Sequence, residues 1–188
     1  MKFTHTDTTN GKRLFVPVTA ASLGTFTLVF VGKVTVSDNS INNILGATRG
    51  VQGYSTGTIG LCINSSTGTI SVVNEVTTTE RVIKVNTSLT TTLNEDFVAF
   101  ASYEDAEAGP SLVISVDGNA DTSFSFPSGF LINRSKNLGI MNATANNGSY
   151  RTQESPTGIC REILVYDTDE SAKRVALETN INNQYNLF

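Results

Sequence analysis

The sequence predicts an all-β protein, a two-sheet antiparallel sandwich with a single helix at its C-terminal end. Three observations carry this. Apolar and polar residues alternate along several short runs, the period of a strand with one buried face. Segments rich in Thr, Asn, Ser and Gly separate these runs, and charged residues make up only 16% of the 188 residues, a composition suited to many strands joined by polar turns. A convincing helical period appears only near the end of the chain, after residue 167. With 39% hydrophobic residues, one domain spanning 1–188 can bury a full core.

The strands follow in order. In TFTLVFVGKVTV, Phe26, Leu28, Phe30, Val34 and Val36 share one face. Thr27, Lys33 and Thr35 share the other, which Val29 and Val31 make partly apolar, so the run reads as a central strand covered on both sides over part of its length. The polar stretch after it holds a short strand at Ile44–Leu45. TIGLCI and TISVV flank NSSTG and form a hairpin. ERVIKV is a short strand and SLTTTLNED a connection. FVAFASY is a strong strand, with Phe97, Ala99, Ala101 and Tyr103 on one face and Val98 and Phe100 on the other. LVISV leads into Asp117-Gly118-Asn119, a tight-turn signal, and TSFSF continues with Phe124 and Phe126 on one face. NLGIM is a short strand, TANNGSYRTQESPTG a loop and ICREILVY the last strand. A covering helix spans 168–185, capped by Thr168 or Asp169, with Leu177, Ile181 and Tyr185 in one narrow stripe that Arg174 interrupts. Residues 1–12 hold no core candidate except Phe3 and are expected to form an extended arm.

The net charge of −4 and the lack of a basic stripe exclude a nucleic-acid partner. No window is apolar enough to cross a bilayer as a helix, so no membrane role is expected. The N-terminus lacks the apolar run of a secretory signal peptide, which leaves the Asn-x-Ser/Thr triplets at Asn64, Asn86, Asn133, Asn142 and Asn147 without weight as glycosylation sites. Cys62 and Cys160 sit among strand residues and read as small buried hydrophobes. A disulfide between them would require neighbouring strands.

No catalytic constellation is legible. Glycoside hydrolysis needs two carboxylates facing across a cleft. Glu104, Asp105 and Glu107 come nearest, without the alternation that would aim them together, and capping explains Asp167, Asp169 and Glu170. His5 is the lone histidine, in a polar segment with no partner pattern, and no phosphate-cradling glycine loop opens a helix. An enzyme is not expected, nor is a cofactor. Sugar binding uses an aromatic platform, and the chain has no Trp. Tyr54 in VQGYSTG and Tyr150 in NNGSYRTQ, with Arg151 beside it, are the ligand-binding candidates.

Glu162, Ile163, Leu164, Val165 and Tyr166, then a polar turn and a helix ending near Tyr185, form an ending that resembles the concanavalin A-like, laminin G-like jelly rolls. FTLVFVGKV resembles that family's early central strand, LNEDFVAFASY and LVISVDGN its paired middle strands, and NLGIM its short strand before the last loop. The resemblance implies a jelly-roll sandwich over nearly the whole chain. It admits calcium, held by loop acids such as Asp38, Asp105 and Asp121, although their spacing specifies no site and Arg161 stands where some relatives carry an acid.

The ending also resembles those of small bacteriophage proteins. That implies a non-enzymatic virion protein made in the host cytoplasm, first of all a capsid decoration or auxiliary protein bound to a major capsid or fibre protein. The absence of a shaft or coiled coil in the sequence fits that expectation. The alternative is a carbohydrate-binding host-adhesion module on a tail or head fibre, with a host glycan as partner. A homo-oligomer is compatible with either.

Overall fold

A computed structural model describes residues 2–3, 15–16, 25–35, 42–47, 58–64, 66–75, 82–104, 111–119, 122–125, 138–141, 143–144, 150–151 and 156–188. The strands are β1 (Lys2–Phe3), β2 (Phe15–Val16), β3 (Phe26–Thr35), β4 (Asn42–Ala47), β5 (Thr58–Ile63), β6 (Thr69–Glu75), β7 (Val82–Thr90), β8 (Asp96–Glu104), β9 (Ser111–Val116), β10 (Thr122–Ser125), β11 (Leu138–Ile140), β12 (Ala143–Thr144), β13 (Tyr150–Arg151) and β14 (Thr157–Tyr166). A 3-10 turn (Ser171–Lys173) leads into α1 (Arg174–Tyr185).

The strands form two antiparallel six-stranded sheets. The first has the order β1-β14-β3-β8-β9-β10 and the second β2-β11-β4-β5-β6-β7. The fold is thus an all-β sandwich with one C-terminal helix. Alternation decides which residues meet between the sheets. Phe26, Leu28, Phe30 and Val34 of β3 join Phe97, Ala99, Ala101 and Tyr103 of β8, and face Ile44, Leu45, Leu61, Ile63, Ile70 and Val72 of the second sheet. Within this core the Phe30 and Phe97 rings lie 5.5 Å apart and the Phe26 and Tyr103 rings 5.4 Å apart, within the range for favourable tilted aromatic pairs.

The outer face of the first sheet is apolar at its centre, as the sequence of β3 requires. Val29, Val31, Val98 and Phe100 are fully buried there under Ile181, with Leu164, Leu177, Tyr185 and Leu187 packed around them. The helix therefore covers a sheet face rather than an edge or an open end of the sandwich. Its stripe of Leu177, Ile181 and Tyr185 is the one the sequence shows. Arg174 does not merely interrupt that stripe: its Nη1 donates to Glu178 Oε2 at 2.7 Å and to Ser115 Oγ at 3.1 Å, so the buried Glu178 carboxylate meets a cation one turn away.

The helix also starts later than expected. Residues 168–170 form a latch onto the sheet. Glu170 N donates to Thr27 Oγ1 at 2.9 Å, and Ser171 N and Oγ donate to the two oxygens of Asp169 at 2.9 and 2.8 Å. Asp169 thus binds the residue two further on, at the entry to the 3-10 turn, whose N-cap position is Glu170, and neither that turn nor α1, which begins at Arg174, has a side-chain cap.

Further departures from the sequence reading are local. β4 is a full strand of Asn42–Ala47, and β7 runs on through residues read as connection to pair Thr90 with Thr69. The loop after β11 contains a two-residue ladder, β12 with β13. Of residues 1–12, Lys2 and Phe3 are described, and they pair with Ile159 and Gly158. Val36, Phe126 and His5 lie outside the described residues. Cys62 sits in the second sheet and Cys160 in the first. Both are buried thiols with no disulfide between them, and burial pushes the Cys160 thiol up to about 11.

Replacing Ile181 with Ala should lower stability by about 2–5 kcal/mol through the cavity it opens over Val29 and Phe100. Val175→Ala, on the exposed side of the same helix, should shift it by no more than about 0.5 kcal/mol. Urea unfolding of the two variants checks both values.

Candidate functional site

Three turns come together at the end of the sandwich where β3 finishes. The β5–β6 turn is closed by Asn64 N donating to Thr69 O and Gly68 N to Asn64 O, both at 2.8 Å. Asn64 Oδ1 accepts from Ser66 N and Oγ at 2.9 and 2.7 Å. Gly68 has φ of 70°, and a Cβ built there would lie 2.0 Å from Thr91 O. Only glycine fits, and the contact lets Thr91 N donate to Gly68 O at 3.0 Å. The β7–β8 turn is thereby pinned to the β5–β6 turn, and Asn94 N ties it to Val34 O at 3.0 Å.

The third turn joins β9 to β10. Asp117 and Gly118 have φ of 50° and 69°, the paired positive values that a tight hairpin needs. Asp117 Oδ1 accepts from Val98 N at 2.8 Å and Oδ2 from Thr91 Oγ1 at 3.3 Å. Asp117 N donates to Val98 O at 3.0 Å. One aspartate therefore fastens this turn to β8 and to the β7–β8 turn. The Phe188 ring packs over Gly118, where an added Cβ would lie 2.6 Å from it. Burial raises the Asp117 carboxyl to about 6, reinforced by the nearby Glu178 charge and opposed by the two donors.

The solvent-facing groups of these turns are mostly uncharged. Among the described residues of the three turns, Ser66, Thr67, Thr92, Asn94 and Asn119 are exposed, with Glu95 the one exposed acid. Hydroxyls and amides of this kind suit a hydroxyl-rich ligand. The segment carrying Tyr150 and Arg151 leaves this same end after Met141, whose N donates to Ile44 O at 2.9 Å, and returns as β14 beside Thr35. In its ladder Tyr150 lies opposite Thr144 and Arg151 opposite Ala143. Tyr54 lies outside the described residues. The strand ends that flank its connection, Ala47 and Thr58, are at the far end of the sandwich from Asn42 and Ile63. The register thus keeps the roots of the Tyr54 and Tyr150 connections apart.

Asp96, Asp169 and Glu170 are engaged in structure. Ser102 Oγ donates to Asp169 Oδ1, and Thr27 Oγ1 lies 2.6 Å from Ser102 Oγ and 2.9 Å from Thr168 O. Two hydroxyl protons serve these three contacts. The charge-assisted bond to Asp169 takes the Ser102 proton, and the Thr27 proton chooses between Ser102 Oγ and Thr168 O. Burial pushes the Asp169 carboxyl up, but the hydrogen bonds from Ser102 and Ser171 outweigh it and hold the group below the usual range. Glu170 bonds Thr168 and Lys173, each at 2.7 Å. Arg161 grips Asp96 with two hydrogen bonds, of 2.8 and 2.6 Å, which lower the Asp96 carboxyl. Glu104 is exposed, while Asp38, Asp105, Glu107 and Asp121 lie outside the described residues. Among the described residues no three His, Cys, Asp or Glu side chains come together as a metal would need.

No family model and no curated protein matches the sequence. Solved structures do match the fold. The CBM40 of the Ruminococcus gnavus IT-sialidase, bound to α2,3-sialyllactose, superposes with a TM-score of 0.65 at 16% identity, over 82% of each chain. A heptameric SAP-like pentraxin from Limulus polyphemus gives 0.55 at 12% identity, over 81% of this chain and 68% of its own. A leech intramolecular trans-sialidase gives 0.67 at 15% identity, covering 96% of this chain but 27% of its own. At these identities the likeness is one of fold: the chain shares the jelly-roll β-sandwich of these proteins.

The Asp117 carboxyl makes stability depend on pH. Its folded value, about 6, lies above its unfolded one. The native state therefore holds a proton that the unfolded chain releases, and this contribution is fully present below about pH 4 and lost as pH rises through about 6. Asp96 and Asp169, held low, act in the opposite sense and only in more acid solution. Asp117→Asn keeps an acceptor for Val98 N and removes the titration. The melting temperature of the wild type relative to this variant should rise as pH falls from about 7 to about 4. Parallel profiles would sink the assignment.

Proposed function

We propose that this chain is a non-enzymatic glycan-binding module of host-adhesion type. One observation carries this reading: the fold matches a carbohydrate-binding module, seen with sialyllactose, over 82% of both chains. The match favours adhesion over the decoration role. The rim of hydroxyls and amides around Asn64, Thr91 and Asp117 supports it by offering partners of the kind sugar hydroxyls use. In a chain without Trp, the stacking role falls to Tyr150, on a connection rooted at this end, and the cation for the carboxylate of an acidic sugar to Arg151. The resemblance of the C-terminal segment to phage proteins supports a virion location, with a fibre or major capsid protein as the anchoring partner.

A glycan array with the full chain, run with calcium and again with a chelator, tests the reading. Binding to one class of acidic glycan, competed by the free sugar, is the expected result. Tyr150→Ala and Arg151→Ala should each weaken it by about tenfold or more while leaving the melting temperature within a few degrees. A blank array from folded protein would overturn adhesion and put the decoration role first.

A further inference from the structure

Strand β14 pairs with β3 along its full length, but on its other side β1 meets only Gly158 and Ile159. A bulge at Arg161 then shifts the register. From Arg161 to Tyr166 the strand is the edge of the first sheet, and among the described residues no backbone donor or acceptor meets it from outside. The centre of this edge is apolar on both faces. Ile163 and Val165 border the core between the sheets, and Leu164 borders the cluster under α1. All three are half-buried. Charge stands towards its two ends, with exposed Arg161, held by Asp96, and half-buried Glu162 on one side and exposed Asp167 on the other. Sheet edges that must stay single carry a charge or a proline along the strand, whereas the run Ile163-Leu164-Val165 carries neither.

We propose that this edge is the interface with a second copy of the chain, β14 pairing antiparallel with its mate across a two-fold axis normal to the sheet. Such an axis keeps core-side residues opposite core-side residues, because directly opposed side chains share a face. Leu164 then lies opposite its own mate on the axis, Ile163 opposite Val165, Glu162 opposite Tyr166 and Arg161 opposite Asp167. This register brings Asp167 to the Arg161 guanidinium, which also holds Asp96 of its own chain. Sliding by two residues one way drives the mate's Asp167 onto Ile159, where Lys2 already pairs. Sliding the other way shortens the ladder. The contact is isologous and uses up both edges, so it closes at a dimer. A ladder this short makes the dimer weak and dependent on concentration. The proposal does not rest on the glycan reading.

Sedimentation of the full chain over a wide concentration range should show a reversible monomer–dimer equilibrium. Asp167→Arg, which sets like charges opposite each other at an exposed position, should weaken it about tenfold. Leu164→Cys should cross-link under mild oxidation, because opposed residues on the axis lie within disulfide reach. Val165→Cys, opposed by Ile163, should not. A chain that stays monomeric at every concentration overturns the proposal. So does a dimer unmoved by Asp167→Arg in which Leu164→Cys cross-links no faster than Val165→Cys.

Discussion

Strand β3 is buried on both faces. From Phe26 to Val31 every residue is shielded, with the even positions in the core between the sheets and Val29 and Val31 on the outside. One sheet packed on another satisfies only one of those faces. The second needs a cover, which α1 supplies through Ile181, Leu177 and Tyr185. The cover must also be held in place, since a narrow apolar stripe alone fixes a helix loosely. Thr27 and Ser102, polar residues on the same outer face, bind the backbone of residues 168–170 and the Asp169 carboxylate. Arg174 reaches Ser115 on β9. Apolar packing supplies the driving force, and these polar ties fix where the helix lies.

At the end of β3 the constraint is backbone proximity. Gly68 sits against the Thr91 carbonyl, Thr91 reaches Asp117, and Asp117 holds Val98. Turns on three different hairpins and connections are thereby fixed relative to one another. The Asp117 carboxyl is the centre of this arrangement, and its burial and the neighbouring Glu178 raise it despite its two donors. A rim fixed in this way presents its hydroxyls and amides with little freedom left to lose, which lowers the entropic cost of holding a ligand.

Much of the fold was legible because alternation is a local signal. The two faces of β3 and β8, the Asp117-Gly118 turn and the stripe of α1 are written in neighbouring residues. What escaped depended on distant partners. β7 looked like a connection past Val85 because Thr suits turns as well as strands, and only the pairing of Thr90 with Thr69 decides the matter. Nothing local marks Glu178 for burial, which follows from how α1 lies on β9 beside Ser115. The rim was less legible still. Asn64, Thr91 and Asp117 are far apart in sequence, and nothing local marks that Gly68 must touch Thr91. Tyr150 and Arg151 were picked for residue type, and it is the register of β11 and β14 that roots their connection at this end.

The position of β14 also decides when the chain can fold. The first sheet pairs its last strand directly with β3, with some 130 residues of chain between the paired segments. Loop closure over such a span is slow, and during synthesis it is impossible until the C-terminal segment has left the ribosome. Until then Val29, Val31, Val98 and Phe100 have no helix over them, and β3 has an open side. The nascent chain therefore waits with its most apolar strand uncovered, which makes the interval between the synthesis of β3 and the release of α1 the period of greatest exposure to aggregation and to chaperones.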